Sequence, residues 1–462
     1  WNERKSSIGS PYQIQSLSLM RTVEKELPFC LTQDQKAAVE EMIRLVQSGR
    51  RLNALVQGDV GSGKSIVGFL PAIAFSSSGY QSVIMAPTQI LARQHYKELT
   101  GLVGDRLRVV YLGAELKAAE KRKIKKIIEK GEADIIVGTH ALVADDIKYQ
   151  NLALCVIDEE HKFGVKQRES LVEKAGAGVH VIKLSATPIP RSLTEVVFGK
   201  NVQVLCIKTK PQGRLPVKTG IAVSRERIYR SILAQKKKGH QVYVVCPMIE
   251  GNEKMENVKS VAEIEKEYRQ ALCPYGVRIG TVTGKDAKAK AEETIAAFRD
   301  GSLDVLIATS VIEVGVNVPN ATGIIVCSAD RFGLAQLHQL RGRVGRSSYE
   351  SYCAFEVENL GQKARERLQV LCETSDGFAI AEADLALRGG GDILGTAQSG
   401  MDRYIELIKE NPALYEKAKR AAVRLLDAPG ECIFLRDRVF LEANAQQPAS
   451  SKKSFVKREE MT

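Results

Sequence analysis

The strongest constraint on this chain is the run Gly58-Asp59-Val60-Gly61-Ser62-Gly63-Lys64-Ser65. It has the form G-x-x-x-x-G-K-[ST], in which glycines let the backbone turn tightly and aim its N–H groups at phosphate oxygens. The context fits. Leu52 to Gln57 is an apolar run that reads as a buried strand entering the loop, and Ile66 to Ala74 reads as a helix leaving it. The spacing predicts that Lys64 meets the β- and γ-phosphates of a nucleotide. The Ser65 hydroxyl is expected to help hold Mg²⁺, a hard cation that keeps several of its waters. All eight residues, Gly58 to Ser65, are expected to cradle the phosphates.

What the nucleotide drives has to come from the rest of the chain. The 462 residues suffice for two or three domains with substantial cores. A formal net charge of +12 suits a polyanionic partner, DNA or RNA, but fits a merely basic surface as well. None of the nine cysteines (30, 155, 206, 246, 273, 327, 353, 372 and 432) forms a C-x-x-C pair. Most sit in apolar runs such as Leu154-Cys155-Val156, so they read as reduced core residues of a cytoplasmic protein. No apolar run approaches the length of a membrane span and no signal peptide is visible, so no membrane partner is expected. The chain opens with Trp1 rather than Met and reads as a fragment or a processed form.

Residues 1–30 are polar and irregular, and read as a linker. Thr32 then stands as a helix N-cap with Gln35 three residues later, as in a capping box. Gln35 either only caps or turns its amide toward a base. After the phosphate loop, strand and helix alternate: strands over Ser82–Ala86, Val109–Leu112, Ile135–Val137, Leu154–Ile157 and Val179–Leu184, with helices over Ile90–Leu102 and Leu116–Lys130. Near-continuous apolar strands separated by helices predict a parallel sheet covered on both faces. The lysine-rich helix reads as a solvated face. Asp158-Glu159-Glu160-His161 directly follows its strand, where open α/β sheets bind ligands. Asp158 is expected in the Mg²⁺ shell, and Glu159 is expected to orient and polarise the attacking water.

Ile207 to Pro216 reads as an interdomain linker. A second alternating unit follows, without a phosphate loop. Its strands are expected near Val217–Val223, Gln241–Cys246, Arg278–Val282, Val305–Ala308, Gly323–Cys327 and Tyr352–Phe355. Helices are expected near Arg225–Lys237, Val258–Leu272, Ala287–Arg299 and Leu334–Arg341. Two α/β units with one phosphate loop predict a nucleotide held at their interface. The second unit carries Gln336-Leu337-His338-Gln339-Leu340-Arg341-Gly342-Arg343-Val344-Gly345-Arg346, a segment of clustered guanidiniums suited to phosphate. One or two of these reaching across a cleft would act as arginine fingers on the transferring phosphoryl group.

An ordered set now stands out: Gln35; the phosphate loop; Ala86-Pro87-Thr88 with Leu91-Ala92-Arg93-Gln94-His95; Gly138-Thr139-His140; Asp158 to Val165; Ser185 to Arg191; Thr309 to Val316; and 336–346. This set resembles the superfamily 2 helicase core and, within it, the RecG-type branch-migration helicases. Residues 376–400 resemble that family's translocation motif. The resemblance implies an α/β chain of two RecA-like parallel-sheet lobes in tandem with a C-terminal helical hairpin. The expected limits are 1–30 linker, 31–206 lobe 1, 207–370 lobe 2, 371–430 hairpin and 431–462 tail. By resemblance, Gln35 reads adenine of ATP and Gly315 lines the nucleotide. Lys64, Ser65, Asp158 and Glu159 perform hydrolysis with Mg²⁺, and Arg343 and Arg346 are fingers. Thr88, Gln94, Thr139 and Thr309 lie toward DNA, and Arg388 and Gln398 belong to the hairpin. The implied activity is an ATP-dependent DNA helicase that remodels stalled replication forks and Holliday junctions in a bacterium. It implies duplex and branched DNA as partners, a single-stranded DNA-binding protein as a candidate partner, and a monomer. Departures exist: Leu112-Gly113-Ala114, Thr283-Gly284-Lys285-Asp286, Asn317 and Ala397 replace the family's usual residues. Asp158-Glu159-Glu160-His161 leans toward the transcription-repair coupling factor, whose motor is the alternative; an ATP-gated DNA clamp is a third reading. No N-terminal wedge domain is evident.

Overall fold

A computed structural model describes residues 9–144, 146–159, 176, 178–186, 202–209, 215–222, 224–247, 260–284, 286–309, 318–357, 361–388 and 417. By contact the chain divides into residues 1–384, which hold both sheets below, and residues 385–462.

The first sheet is built from β1 (Asn53–Gly58), β2 (Gln81–Met85), β3 (Val109–Leu112), β4 (Ile135–Gly138), β5 (Leu152–Ile157), β6 (His180–Ser185) and β7 (Gln203–Ile207). Its order is β3-β4-β2-β5-β6-β1-β7, and every pairing is parallel. Five helices accompany it: α1 (Ser18–Glu26), α2 (Gln33–Gln47), α3 (Lys64–Ser76), α4 (Gln89–Val103) and α5 (Ala118–Glu129). Because side chains alternate along a strand, the apolar runs feed two cores. Ile84 and Val156 join α3 on one face, while Val83, Met85 and Cys155 form a second cluster on the other. Helix α5 buries only Ile128, as a solvated lysine face should.

The second sheet holds β8 (Lys218–Ala222), β9 (Gln241–Val245), β10 (Ile279–Val282), β11 (Val305–Ala308), β12 (Ala321–Val326) and β13 (Tyr352–Glu356) in the order β10-β11-β9-β12-β13-β8, again all parallel. Helices α6 (Arg225–Lys237), α7 (Val261–Leu272), α8 (Lys288–Arg299), α9 (Leu334–Arg341), α10 (Gln362–Glu373) and α11 (Gly377–Arg388) accompany it. Tyr243 and Val245 face one core, and Val242, Val244 and Cys246 face the other. The two-lobe parallel-sheet expectation therefore holds.

Three details differ from the sequence reading. Residues 9–30 are not irregular throughout: α1 forms within them, and Met20 and Val23 are wholly buried against the first core. The polar residues around them mask a two-residue apolar face. Strand β7 went unpredicted because it is a short edge element, although it pairs with β1 along five residues. The chain beyond it is tied down as well, since Asp34 accepts hydrogen bonds from the backbone N–H groups of Lys208 (2.9 Å) and Thr209 (2.8 Å). Cysteines are also less uniformly internal than expected: 155, 246, 327 and 353 are buried, whereas 30, 206 and 273 are exposed.

The N-terminal segment is anchored by a buried histidine at the start of β6. The Leu52 N–H donates to His180 Nδ1 (2.9 Å), so the neutral ring carries its proton on Nε2, which faces the Tyr12 carbonyl (2.9 Å) and Ser10 Oγ (2.8 Å). Burial pushes this imidazole down from its ordinary 6.5 to about 4. The unfolded chain therefore takes up a proton first. Stability from this site is complete above about pH 6.5 and is lost as the pH falls toward 4. The loss should reach about 2 kcal/mol at pH 5. Thermal unfolding between pH 7 and 5 is expected to show a steeper decline for the parent chain than for His180→Gln. Equal declines would assign the acid sensitivity elsewhere.

Candidate nucleotide site between the two sheets

β1 ends at Gly58 and α3 begins at Lys64, so the phosphate loop spans one strand-to-helix turn. Gly63 holds φ +76°, a backbone angle that favours glycine, and a Cβ there would stand 2.3 Å from Gln35 Nε2 and displace that amide. Among the described residues no side chain caps α3, whose N-cap is Gly63. The first N–H groups of a helix without a side-chain cap are the groups that seat an anion. The Lys64 ammonium is buried and donates to the carbonyls of Gly58 (2.9 Å) and Asp59 (2.8 Å). Burial pushes its pKa down, the carboxylates of Glu159, Asp158 and Asp59 resist, and Arg346 adds to the push.

Gln35 does more than cap. Its Oε1 accepts the Thr32 N–H (2.8 Å), its own N–H donates to Thr32 Oγ1 (3.3 Å), and its Nε2 donates to the Ser62 carbonyl (2.7 Å). One side chain therefore closes the capping box of α2 and ties the phosphate loop to that helix.

β5 leads directly into Asp158 and Glu159. Since β6 lies between β1 and β5, the ends of these two strands stand roughly 10 Å apart on the same edge of the sheet. Asp158 is buried; its Oδ1 accepts the Glu159 N–H (2.9 Å) and its Oδ2 meets His95 Nε2 at 2.7 Å. Burial lowers the His95 pKa, but the Asp158 and Glu98 carboxylates outweigh it and lift the imidazole to about 9. Glu159 takes φ +50°, a left-handed conformation that a non-glycine residue adopts at a cost and that clusters at functional sites. Burial and the Asp158 carboxylate push the Glu159 pKa up, while Lys64 and Arg343 pull it down. A carboxylate whose proton affinity is raised by burial is better able to accept a proton from a water beside it.

The second sheet contributes α9 and the turn after it. Arg343 and Arg341 are buried. Arg343 lies within electrostatic reach of Glu159, and Arg346 of Lys64, so the structure brings the arginine segment to the phosphate loop. Asp59 reaches the second lobe. Its Oδ1 accepts the Val60 N–H (2.7 Å) and pairs with His338 Nε2 of α9. A cavity of about 180 Å³ lies beside this pair, lined in part by Val60, Pro216, Arg341 and Gly345. A larger one, of about 360 Å³, opens elsewhere, around Tyr80, Gln81, Asp134 and Gln150, and has no part in this chemistry.

Among the described residues no cluster of three or more His, Cys, Asp or Glu forms a metal cage. The donors expected for Mg²⁺, Ser65 and Asp158, are hard oxygens, and so few protein ligands suit an ion that retains waters and shares phosphate oxygens. The residues present therefore fit a magnesium–triphosphate group.

The residues expected to face nucleic acid are more mixed. Thr88 caps α4, accepting the Leu91 N–H (3.3 Å), and Gln94 donates to Glu98 (2.7 Å). Thr139 and Thr309 are 1% and 5% exposed. Their hydroxyls have no hydrogen-bond partner among the described residues. Each follows the second strand in from an edge of its sheet, β4 and β11, so they occupy equivalent places in the two lobes. Gly315, Gln398, Glu160 and the Arg388 side chain lie outside the described residues, as does the hairpin from residue 389 on. Sequence reasoning missed His95 and His338 as site residues. Both were inside quoted motifs, but their carboxylate partners are 63 and 279 residues away.

Comparison with known proteins agrees with this geometry. Residues 32–196 match the DEAD/DEAH box helicase family, residues 224–348 the helicase conserved C-terminal domain, and residues 374–440 the family described as ATP-dependent DNA helicase RecG, domain 3, C-terminal. The ATP-dependent DNA helicase RecG of Staphylococcus epidermidis is 42% identical over 408 residues, covering 87% of this chain and 59% of that protein. Its counterpart from Staphylococcus aureus is 41% identical over 416 residues, covering 89% and 60%. The chain thus spans about three fifths of the length of these relatives. The structure of RecG bound to a three-way DNA junction superposes with a TM-score of 0.71 at 34% identity, covering 84% of this chain and 51% of that one. The Mycobacterium smegmatis helicase Lhr, at 17% identity and a TM-score of 0.54 (76% of this chain, 50% of that one), shares the fold. By sequence and by the architecture of its two lobes, the chain belongs with the RecG-type superfamily 2 helicases.

Proposed function

We propose that this chain is the motor portion of an ATP-dependent DNA translocase that remodels branched DNA, such as stalled forks and Holliday junctions, in the bacterial cytoplasm. The observation that carries the ATPase part is the meeting of two lobes at one site. Lys64 and Glu159 come from the first sheet and Arg343 and Arg346 from beyond α9, within electrostatic reach of each other. The DNA part rests on the RecG relatives and on the RecG structure with a three-way junction. The match at 374–440 favours this reading over a transcription-repair coupling motor.

Each residue then has a task. The N–H groups of the loop and of the start of α3 hold the β- and γ-phosphates, and Lys64 leaves its two carbonyls to pair with them. Gln35, already tied to the loop, contacts the adenine. Ser65 and Asp158 would hold Mg²⁺, which would supply electrostatic stabilisation of the phosphate charge. Glu159 accepts a proton from the attacking water as its oxygen bonds to the γ-phosphorus. The bond to the β–γ bridging oxygen breaks, leaving ADP and phosphate. Arg343 and Arg346 stabilise the charge that spreads over the transferring group. Because the site is complete only when the lobes meet, hydrolysis would open and close them. Thr88, Gln94, Thr139 and Thr309, with Arg388 and Gln398 of the hairpin, would pass that motion to DNA. The two buried threonines must turn outward to do so.

Steady-state ATP hydrolysis should be measured with no nucleic acid, linear duplex, a model fork and RNA. Fork DNA is expected to stimulate most and RNA least. Equal stimulation by RNA would overturn the DNA assignment. Lys64→Ala, Glu159→Gln and Arg346→Ala are each expected to lower kcat by roughly a hundredfold or more while leaving the chain folded by circular dichroism. Turnover close to the parent in any one would remove that residue from the mechanism. Triplex displacement by the parent chain would separate a translocase from a clamp that only binds and releases.

A further inference from the structure

Two of the four residues that the phosphate-loop pattern leaves free to vary, Asp59 and Val60, touch the second lobe. Asp59 and His338 are each 5% exposed, and they pair directly across the lobe boundary. Behind His338, the Arg341 guanidinium sits 2.8 Å from Nδ1. An arginine only donates, so Nδ1 accepts and the ring proton stands on Nε2, directed at the Asp59 carboxylate. The same guanidinium donates to the carbonyls of Leu371 (2.6 Å) and Thr374 (2.9 Å) at the end of α10. Beside this chain, Gly342 lies against Val60: a Cβ on Gly342 would fall 2.5 Å from the Val60 Cβ. Gly342 immediately precedes Arg343 and stands four residues before Arg346.

We propose that Asp59 and His338 are positioning residues, which with Val60 and Gly342 seat the arginine segment on the phosphate loop in a single register. This rests on the reading of Arg343 and Arg346 as groups acting on the transferring phosphoryl. The pair fixes α9 five residues before Arg343 and eight before Arg346, and the Gly342–Val60 contact fixes the turn that carries them. The Asp59–His338 and Val60–Gly342 contacts leave Lys64 and the loop glycines, the groups expected to bind nucleotide, in place. Each is needed only when the arginines must meet the γ-phosphate at the correct distance, where a displacement of about 1 Å can cost about a hundredfold in rate. Arg341 extends the seating to α10, and α11 begins at Gly377, three residues after Thr374.

The test uses the full chain with Asp59→Ala, His338→Ala and the double variant. Each single variant is expected to lower kcat by roughly tenfold to a hundredfold. KM for ATP and the affinity for a fluorescent ADP should stay within about threefold of the parent, because Lys64 and the loop glycines are intact. The double variant should be no slower than the worse single, since both remove one interaction. A parent-like kcat in His338→Ala, or losses that multiply in the double variant, would overturn the proposal. Gly342→Ala probes the same seating without touching the pair: kcat should fall, and Val60→Gly in the same chain should recover it at least in part. Failure of that recovery counts against a shared register. Hydrogen exchange of the loop amides without nucleotide supplies a readout independent of turnover, with exchange at residues 59–63 at least about tenfold faster in His338→Ala. A parent that hydrolyses no ATP but shows this difference would overturn the proposed function while leaving the docking pair in place. Unchanged exchange would overturn the pair itself.

Discussion

A buried ammonium has to be balanced, and most of this site can be understood as the balancing of Lys64. Its charge is held by two loop carbonyls and opposed in sign by Asp59, Asp158 and Glu159. Those carboxylates in turn need partners, which they find in His338, in His95 and in the arginines of the second lobe. Each charged group is thus buried because its neighbours are. The consequence is a compact set of charges of both signs at the ends of β1 and β5, closed by groups from the second lobe.

The two sheets make this possible through their direction. All strands in each sheet run the same way, so every strand-end loop lies along one edge. In the first sheet that edge gathers the phosphate loop, Thr88, Thr139 and Asp158; in the second it gathers Thr309. Parallel sheets must be covered on both faces, and the paired apolar clusters above and below each sheet meet that demand. The faces are thereby occupied by packing, and the edge remains for chemistry.

Much of the fold was legible because its signals are local. The apolar runs of β1, β9 and β11 and the capping signature at Thr32–Gln35 each reside within a few residues. What went unseen was short or masked. Helix α1 turns only Met20 and Val23 into the core, β7 is an edge strand with a mixed burial pattern, and α10 exposes most of its surface. The site divides the same way. Lys64, Asp158 and Arg346 sit in patterns with fixed spacing. The partners that hold them in place, His95 and His338, have no spacing that marks them.

The sequence by itself determined the class of fold, the phosphate seat and the arginine segment, because glycine, lysine and arginine at set intervals leave few physical alternatives. Only the tertiary structure decided which groups face which. That Asp59 reaches the second lobe, that Gln35 serves two segments at once, and that Thr139 and Thr309 are enclosed all depend on residues brought together from distant parts of the chain. A hydrogen bond is set by a few ångströms of distance and a direction, and neither is written in sequence separation.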